Sequence, residues 1–436
     1  MTRDTPFSQR RARLLETIGE GIAVIPTAPE VARNRDSDFP YRFDSYFHYL
    51  TGFGEPQAVL VLVGGERPRQ ILFCRDKDEE REIWDGYRLG FEAAREALGM
   101  DETFSIDELD AQMPSLIADQ PRLLYPAGAD RGWDARVFGW LNEVRGMART
   151  GIRAPATLTD VRSLLDDMRL LKDAHELATM RKAADISADA HIRAMRLTAP
   201  GRMEYEIEAE LLHEFRRRGS QFPAYTSIVA GGANACVLHY RENNAVLRDG
   251  DLLLIDAGCE LDGYASDITR TFPVNGRFSG PQRDIYDLVL AAQHAAIAAV
   301  APGRSWDEPH QAAVDVLVRG FIDLGLCEGT PEAVIESGDY RRFYMHRTGH
   351  WLGLDVHDVG DYREAGQWRP LREGMTLTVE PGCYIRPAAG VPEAFWNIGV
   401  RIEDDVVVTP GGCEILTAGV PKSIEAIEAL MRSGTD

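Results

Sequence analysis

The chain has 436 residues, 44% hydrophobic and 27% charged, which is typical of a globular protein long enough for two domains. Its formal net charge of -21 argues against nucleic acid and anionic membrane surfaces as partners, because both would repel it. The six cysteines form no Cys-x-x-Cys pair, and no apolar run reaches membrane length. We therefore expect buried thiols and a cytoplasmic location.

The first part of the chain alternates strand-like and helix-like segments. Short apolar runs closed by Gly or Pro predict strands within 21–26, 57–65 and 69–74. Residues 81–99 predict one helix that ends at a glycine. Asp173, three residues before Glu176, then predicts a capping box at the start of a long amphipathic helix. These features indicate an α/β domain over residues 1–172 and a second domain over residues 173–436.

The second part contains an internal repeat. The string APGR occurs at 199–202 and again at 301–304. Each copy follows a long predicted helix and precedes an amphipathic helix that ends at a glycine, and strand-rich sequence comes next. Chance identity of four letters is the alternative, but the matching context favours duplication. Two helix–helix–sheet halves would leave a cleft between them, where sites commonly lie.

Two aspartates lie in the hairpin-like segment GDLLLIDAGCELDGYASDITRTF, residues 250–272. A turn centred between residues 261 and 262 would place Asp256 opposite Asp267, whereas a turn on Asp262-Gly263 would displace them by two residues. Both registers put the two carboxylates on one face of the hairpin, because side chains alternate along a strand. Facing like charges are destabilising, so the pattern predicts a cation between them. We expect Asp262 to be a turn residue.

Two glutamates and a histidine cluster extend this set. Glu380 ends an alternating strand before a predicted Pro-Gly turn, and Glu403 lies within another strand; each alone is more typical of a structural ion pair. Together with the two aspartates and one imidazole they suit Mn²⁺, Co²⁺, Fe²⁺ or Zn²⁺, with room for two ions. The segment MHRTGHWLGLDVHD, residues 345–358, holds more histidines than packing alone explains: His346, His350 and His357.

These segments resemble the pita-bread metallopeptidases, which include methionine aminopeptidase, prolidase, aminopeptidase P and creatinase. The strings IDAGCELDGYASDITRTF, GHWLGLDVHDVG, VEPGCYI and GVRIEDDVVVT are similar, in order, to the ligand-bearing segments of that family. Residues 35–62 resemble the extra domain of aminopeptidase P and prolidase, and bacterial-type aminopeptidases P are the most similar branch. The resemblance implies an α/β (α+β) fold with a small amino-terminal α/β domain and a pseudo-twofold pita-bread catalytic domain.

The resemblance also implies roles for single residues. The family's dinuclear metal ligands fall on Asp256, Asp267, His350, Glu380 and Glu403. Catalytic roles fall on His239, His357, Glu380 and Arg401. Substrate-binding roles fall on His346, Tyr384 and Trp84. Intact ligands count against a creatinase, which works without metal, and against binding-only members of the fold. Histidines on predicted helices, among them His310, are expected to be structural.

The implied activity is release of the N-terminal residue from peptides with proline second, by hydroxide bridging two divalent ions, with Mn²⁺ expected ahead of Co²⁺, Fe²⁺ or Zn²⁺. A prolidase restricted to Xaa-Pro dipeptides and a non-catalytic binding scaffold are the alternatives. Between His346 and His350 the chain has Arg-Thr-Gly where some aminopeptidases P carry Gly-Leu-Ser. This difference bears on peptide length more than on reaction type. A peptide substrate and a homodimer or homotetramer are the implied partners.

Overall fold

The computed structural model describes residues 4–433, and the chain forms two compact units, Met1–Met168 and Arg169–Asp436. The first unit is built on a six-stranded mixed sheet with the order β6-β5-β4-β1-β7-β8. The central pair β1 and β4 is antiparallel and wholly buried, as expected of apolar runs in the middle of a sheet. The strands are β1 (Ile22–Pro26), β2 (Ala32–Asn34), β3 (Ser37–Asp38), β4 (Val59–Val63), β5 (Arg69–Cys74), β6 (Glu102–Ser105), β7 (Arg122–Tyr125) and β8 (Thr157–Asp160).

The three strands predicted in this unit are confirmed as β1, β4 and β5, but the single predicted helix is wrong. The chain forms two helices there, because Gly86 and Gly90 adopt φ of 89° and 76°, in the left-handed region that a helix does not use. The helices are α1 (Pro6–Ile18), α2 (Ser45–Thr51), α3 (Glu79–Asp85), α4 (Phe91–Leu98), α5 (Leu109–Ile117), α6 (Arg131–Gly146) and α7 (Arg162–Leu170).

The second unit repeats a helix pair followed by a three-stranded sheet. In the first half, helices α8 (Ala174–Leu197) and α9 (Glu204–Arg217) precede the sheet β10-β11-β14. The predicted capping box of Asp173 and Glu176 starts α8. The strands are β9 (Phe222–Pro223), β10 (Ile228–Gly231), β11 (Leu252–Asp256), β12 (Cys259–Leu261), β13 (Tyr264–Ala265) and β14 (Thr269–Pro273).

The second half has helices α10 (Gly280–Ala298) and α11 (Glu308–Asp323), then α12 (Pro331–Ser337) and the sheet β17-β20-β21. The glycines of the two APGR strings make equivalent backbone hydrogen bonds, from Gly201 N to Leu247 O and from Gly303 N to Leu371 O, each 2.8 Å. The predicted internal repeat is therefore present in the structure. The remaining elements are β15 (Arg363–Glu364), β16 (Gln367–Trp368), β17 (Thr376–Val379), β18 (Gly382–Ile385), β19 (Ile398–Arg401), β20 (Asp404–Thr409), β21 (Gly412–Ile415) and α13 (Ile424–Arg432).

Each unit buries its own apolar core. Strands β1, β4 and β7 supply the core of the first unit. In the second unit, α8 packs against β12 and β13, and α10 packs against β17, β18 and β19. All six cysteines are free thiols, five of them buried and Cys413 partly buried. Among the helices of residues 4–433, none is both long enough and apolar enough to cross a membrane.

Helix α8 carries a fully buried histidine that makes stability depend on pH. His191 Nε2 lies 2.9 Å from the Ala257 carbonyl oxygen, and burial lowers the pKa of His191 to about 4. An unfolded histidine titrates near pH 6.5, so between pH 6.5 and 4 the unfolded chain binds a proton that the folded chain excludes.

Stability should therefore fall as the pH is lowered through this window and stay constant above it for this group. Glutamine does not titrate. Between pH 7.5 and 4.5 we therefore expect the unfolding free energy of His191→Gln to fall by roughly 2–3 kcal/mol less than that of the wild type. Urea unfolding of both proteins at the two pH values measures this difference. An identical pH dependence of the two proteins would contradict the prediction.

Candidate metal centre

The first two carboxylates come from the hairpin of residues 250–272. Asp256 pairs with Thr269, so the turn lies on Asp262-Gly263 and the second of the two predicted registers is the correct one. Asp262 and Gly263 have φ of 49° and 85°, as a tight hairpin turn of this kind requires. The strand pairing is interrupted between β11 and β12 and between β13 and β14. Asp256 and Asp267 lie at this interruption.

The second pair of carboxylates lies at a matching interruption. Strand β17 pairs with β20, and β18 continues in the same direction to pair with β19. The register Val379↔Asp404 and Gly382↔Arg401 places Glu380 across from Glu403. The predicted Pro-Gly turn after Glu380 is thus wrong, because the chain runs straight on into β18.

Hydrogen bonds between the hairpins bring the two interruptions together. Glu403 N donates to Thr269 O at 3.0 Å, and the Thr269 hydroxyl donates to Glu403 Oε2 at 2.6 Å. Asp267, His350 and Glu403 each offer one ligand atom, and these three atoms lie within 4.8 Å of one another. His350 Nε2 is 3.6 Å from Glu380 Oε1. Four of the five predicted ligands are therefore direct neighbours.

His350 is held with the correct nitrogen facing this cluster. Its Nδ1–H donates to the Trp351 carbonyl oxygen at 2.9 Å, which leaves Nε2 toward the carboxylates. The Gly349 backbone passes so close to strand β17 that a Cβ there would lie 2.0 Å from Thr378 O. Glycine at this position is thus required by close packing, and it lets the histidine approach the strand that leads to Glu380.

The fifth predicted ligand, Asp256, joins the cluster through two side chains. Arg401 Nη2 donates to Asp256 Oδ2 at 2.6 Å. Tyr225 Oη donates to Asp256 Oδ1 at 2.6 Å and also contacts Asp267 Oδ1. Sequence reasoning missed Tyr225, since it lies in a loop with no periodicity or motif. Its contact with both aspartates confirms that they share one face of the hairpin.

The electrostatics of the cluster fit a divalent metal pair. Burial raises the pKa of Asp267 and of Glu403, and it raises the pKa of Glu380 to about 7. Burial opposes protonation of His350, but the Asp267 hydrogen bond and the carboxylate charges raise its pKa to about 9. Carboxylates gathered in a desolvated site need positive charge, and oxygen-rich sites with one imidazole suit divalent transition ions.

The cluster opens into a cavity of about 630 Å³. Its lining includes the predicted residues Asp256, Asp267, His350, Glu380, Glu403, His239, His346, His357 and Arg401. It also includes side chains that sequence reasoning did not single out: Tyr225, Trp306, Arg347, Tyr362 and Trp368. The His357 ring lies 4.1 Å from the His350 ring, centroid to centroid.

One wall of the cavity is a chain of hydrogen bonds that ends at the cluster. His346 Nδ1–H donates to the Arg347 carbonyl oxygen at 2.7 Å, so its Nε2 accepts from the Tyr384 hydroxyl at 2.8 Å. Tyr384 in turn accepts from Arg401 Nη1 at 3.0 Å. Trp84 belongs to α3 of the first unit, where its side chain is 83% exposed. Its place at the substrate pocket stays a prediction.

His310, which the sequence predicts to be structural, is connected to the site through Thr348. It is hydrogen-bonded to the Thr348 hydroxyl at 2.8 Å, and Glu380 N donates to the Thr348 carbonyl oxygen at 2.8 Å. Burial lowers the pKa of His310 to about 4. His213 is exposed on α9 and is not among the residues that line the cavity, so it is the better control for mutagenesis.

Comparison with known proteins assigns the chain to a family. Residues 178–410 match metallopeptidase family M24, and residues 7–125 match the aminopeptidase P N-terminal domain. The chain belongs to metallopeptidase family M24. It is 47% identical to the Xaa-Pro aminopeptidase of Escherichia coli K12, over 98% of this chain and 97% of that protein. It is 46% identical to the Xaa-Pro aminopeptidase of Haemophilus influenzae, over 98% and 96%.

Solved structures of this M24 branch share the whole architecture. The Pseudomonas aeruginosa aminopeptidase PepP is 52% identical with a TM-score of 0.97, covering 100% of this chain and 99% of that one. An E. coli aminopeptidase P variant in complex with substrate is 46% identical with a TM-score of 0.96, covering 98% of both chains. The resemblance drawn from the sequence and the pita-bread fold class are thereby confirmed.

The Tyr225 contact predicts a stability effect that metal should reduce. Tyr225→Phe keeps the ring but removes a donor shared by two carboxylates. The metal-free variant should therefore lose roughly 2 kcal/mol of unfolding free energy. Added Mn²⁺ should shrink this deficit, because a cation then neutralises the same charges. Denaturant unfolding with and without metal measures the effect.

Tyr286→Phe is the matched control, since the buried Tyr286 hydroxyl donates to the Lys422 carbonyl oxygen at 2.9 Å and touches no carboxylate of the cluster. Its deficit should be the same with and without metal. A Tyr225→Phe deficit that metal leaves unchanged would show that the hydroxyl does not hold the aspartates together.

Proposed function

We propose that this protein is a metal-dependent aminopeptidase that releases the N-terminal residue from peptides with proline in the second position. The observation that carries the proposal is the buried cluster of carboxylates around His350, which opens into a cavity lined by further histidines and Arg401. The cluster belongs to an M24 chain with close similarity, along nearly its whole length, to Xaa-Pro aminopeptidases.

The residues that would hold two divalent ions are Asp256, Asp267, His350, Glu380 and Glu403. Bound there, the ions would supply a Lewis acid and a nucleophilic hydroxide at neutral pH. We propose Mn²⁺ as the native metal, and a Zn-substituted E. coli aminopeptidase P in complex with product is among the similar structures. Metal ligands of this kind must be deprotonated carboxylates and a neutral imidazole. In the metal-free protein the raised pKa values favour protonation of His350 and Glu380, so metal binding should release these protons.

Glu380 is suited to moving protons during the reaction. Its carboxylate lines the cavity beside His350, where it can take a proton from the nucleophile and give one to the leaving group. The leaving nitrogen of a proline peptide bond carries no hydrogen and must receive a proton as the bond breaks. Glu380 is the group we assign to this delivery.

His239 and His357 are assigned to the carbonyl oxygen of the scissile bond. Both line the cavity and both are exposed to it, as donors to a substrate must be. A neutral histidine can donate to that oxygen through one ring nitrogen. Donors aimed at an oxygen that gains charge stabilise the transition state more than the bound substrate.

Several expectations stay predictions beside this assignment. They are the cytoplasmic location, the homodimer or homotetramer, the peptide as the partner, and the boundary between domains 1–172 and 173–436. The prolidase alternative differs only in peptide length. The cavity wall of Trp306, Tyr362 and Trp368 offers apolar surface next to the cluster, which supports acceptance of a residue beyond proline.

Metal removal and a peptide panel test the proposal. A chelator should abolish turnover of Xaa-Pro-Yaa-Zaa, and Mn²⁺ or Co²⁺ should restore it. Asp256→Asn and Glu403→Gln should lower both metal content and turnover, because each removes charge that the ions need. Full activity in demonstrably metal-free enzyme would rule the assignment out, and hydrolysis of Xaa-Pro dipeptides alone would make the protein a prolidase.

The two cavity histidines distinguish this mechanism from a generic metal site. His239→Ala and His357→Ala should keep near wild-type metal content but cut turnover about 100- to 1,000-fold, the usual effect of losing one such donor. Elemental analysis and kcat on one Xaa-Pro peptide are the measurements, with His213→Ala as the silent control. Loss of metal in either variant would make that histidine a ligand instead.

A further inference from the structure

His239 lies on a cavity-lining segment, residues 231–245, that has almost no regular structure. Only a short 3-10 helix, Gly232–Cys236, interrupts the loop between β10 and the turn before β11. The His239 side chain is itself exposed. A side chain that must meet a substrate atom needs a fixed backbone, so something other than a helix or strand has to hold this segment.

One buried carboxylate binds the segment at both ends and in its middle. Glu204, at the start of α9, is 0% exposed. Its Oε1 accepts from Gly231 N at 2.8 Å and from Asn234 Nδ2 at 3.0 Å. Its Oε2 accepts from Ala245 N at 2.8 Å and from the Tyr240 hydroxyl at 2.8 Å. Tyr240 is the residue directly after His239.

These contacts have the chemistry of a positioning group. All four donors are neutral, so the charge of Glu204 is stabilised only as long as the segment keeps its conformation around the carboxylate. Movement of the segment would leave a buried carboxylate without its donors, which is costly. The carboxylate therefore favours one conformation of residues 231–245.

The second half of the unit supports this role. Glu204 N donates to Ala245 O at 3.0 Å, and Trp306 N makes the equivalent bond to Arg369 O at 2.9 Å. Both residues follow an APGR string by two positions. The Trp306 ring packs 4.0 Å from the ring of Trp351, next to His350. The same position thus lies against the histidine-bearing segment in each half.

We infer that Glu204 is a positioning residue for catalysis, which fixes the 231–245 segment so that His239 meets the substrate carbonyl. The inference rests on the proposed role of His239 and adds to it a residue that touches neither metal nor substrate. Because Glu204 acts through His239, its loss should matter only while His239 is present.

A double-mutant cycle on kcat tests this. Glu204→Gln keeps size and one acceptor oxygen but replaces the other oxygen with a donor. We expect kcat on an Xaa-Pro peptide to fall about tenfold, with KM and metal content within twofold of wild type. In the His239→Ala background the same change should lower kcat less than twofold. A tenfold loss in both backgrounds, or no loss in either, would overturn the inference.

Glu176→Gln is the matched control. Glu176 is also buried at a helix start, and it accepts from Asp173 N at 3.0 Å and from the Tyr264 hydroxyl at 3.1 Å. It should lower the unfolding temperature by a similar amount and leave kcat within twofold. A tenfold loss of kcat in Glu176→Gln would mean that weakening the fold alone lowers turnover, which also overturns the inference.

Tyr240→Phe provides a milder second variant that decides the question if Glu204→Gln does not fold. It removes one of the four donors. It should lower kcat about threefold when His239 is present and leave kcat unchanged in the His239→Ala background. Equal losses of kcat in both backgrounds overturn the inference. Wild-type turnover in His239→Ala alone would refute the proposed role of His239 and the inference with it. If His239→Ala lowers kcat and the second substitution lowers it by its full factor again, only the Glu204 inference is refuted.

Discussion

The mutual repulsion of buried carboxylates is the constraint on which the rest of this structure depends. Four carboxylates lie together against the cavity, two of them buried (Asp267 and Glu403) and two half-buried (Asp256 and Glu380). Such a group is unstable without cations and hydrogen-bond donors. The chain supplies part of this itself, through Arg401 on Asp256 and through hydroxyl donors that reach all four carboxylates. The negative charge that these contacts leave uncompensated is what a pair of divalent ions would neutralise.

The duplicated architecture explains how the chain holds these groups in place. Each half contributes one long hairpin, and each hairpin carries its carboxylates where the ladder of backbone hydrogen bonds is interrupted. At an interruption the backbone groups are free to bond elsewhere, and Glu403 N uses this freedom to reach Thr269 O of the other hairpin. The regular strands on either side keep the interruption rigid. The interruption therefore provides both the predicted metal ligands and the hydrogen bond that links the two halves.

Periodicity and spacing in the sequence predicted strands and candidate ligands. The hairpin register and the side chains that act through distant partners could not be predicted, because they depend on long-range contacts. Apolar runs fixed strand β11 with Asp256 at its end, but hydrophobic alternation was equally compatible with two hairpin registers. The φ values at Asp262-Gly263 decide between them. Tyr225 lies in a loop without a pattern, and the APGR repeat that precedes Glu204 does not reveal the role of this residue. Their importance comes from partners 31 or more, and 27 or more, residues away in the chain, which no local pattern reveals.

The two histidine-bearing segments show one solution to holding loop residues without secondary structure. Asp358, next to His357, is buried and bonds to Lys172 at 2.8 Å and to Arg169 at 2.6 Å. Glu204 does the same for the segment of His239 with neutral donors. A buried charge is stable with very few arrangements of its partners, because each lost contact leaves part of its desolvation energy uncompensated. Loops that must expose histidines to a substrate therefore take their rigidity from carboxylates that are never exposed.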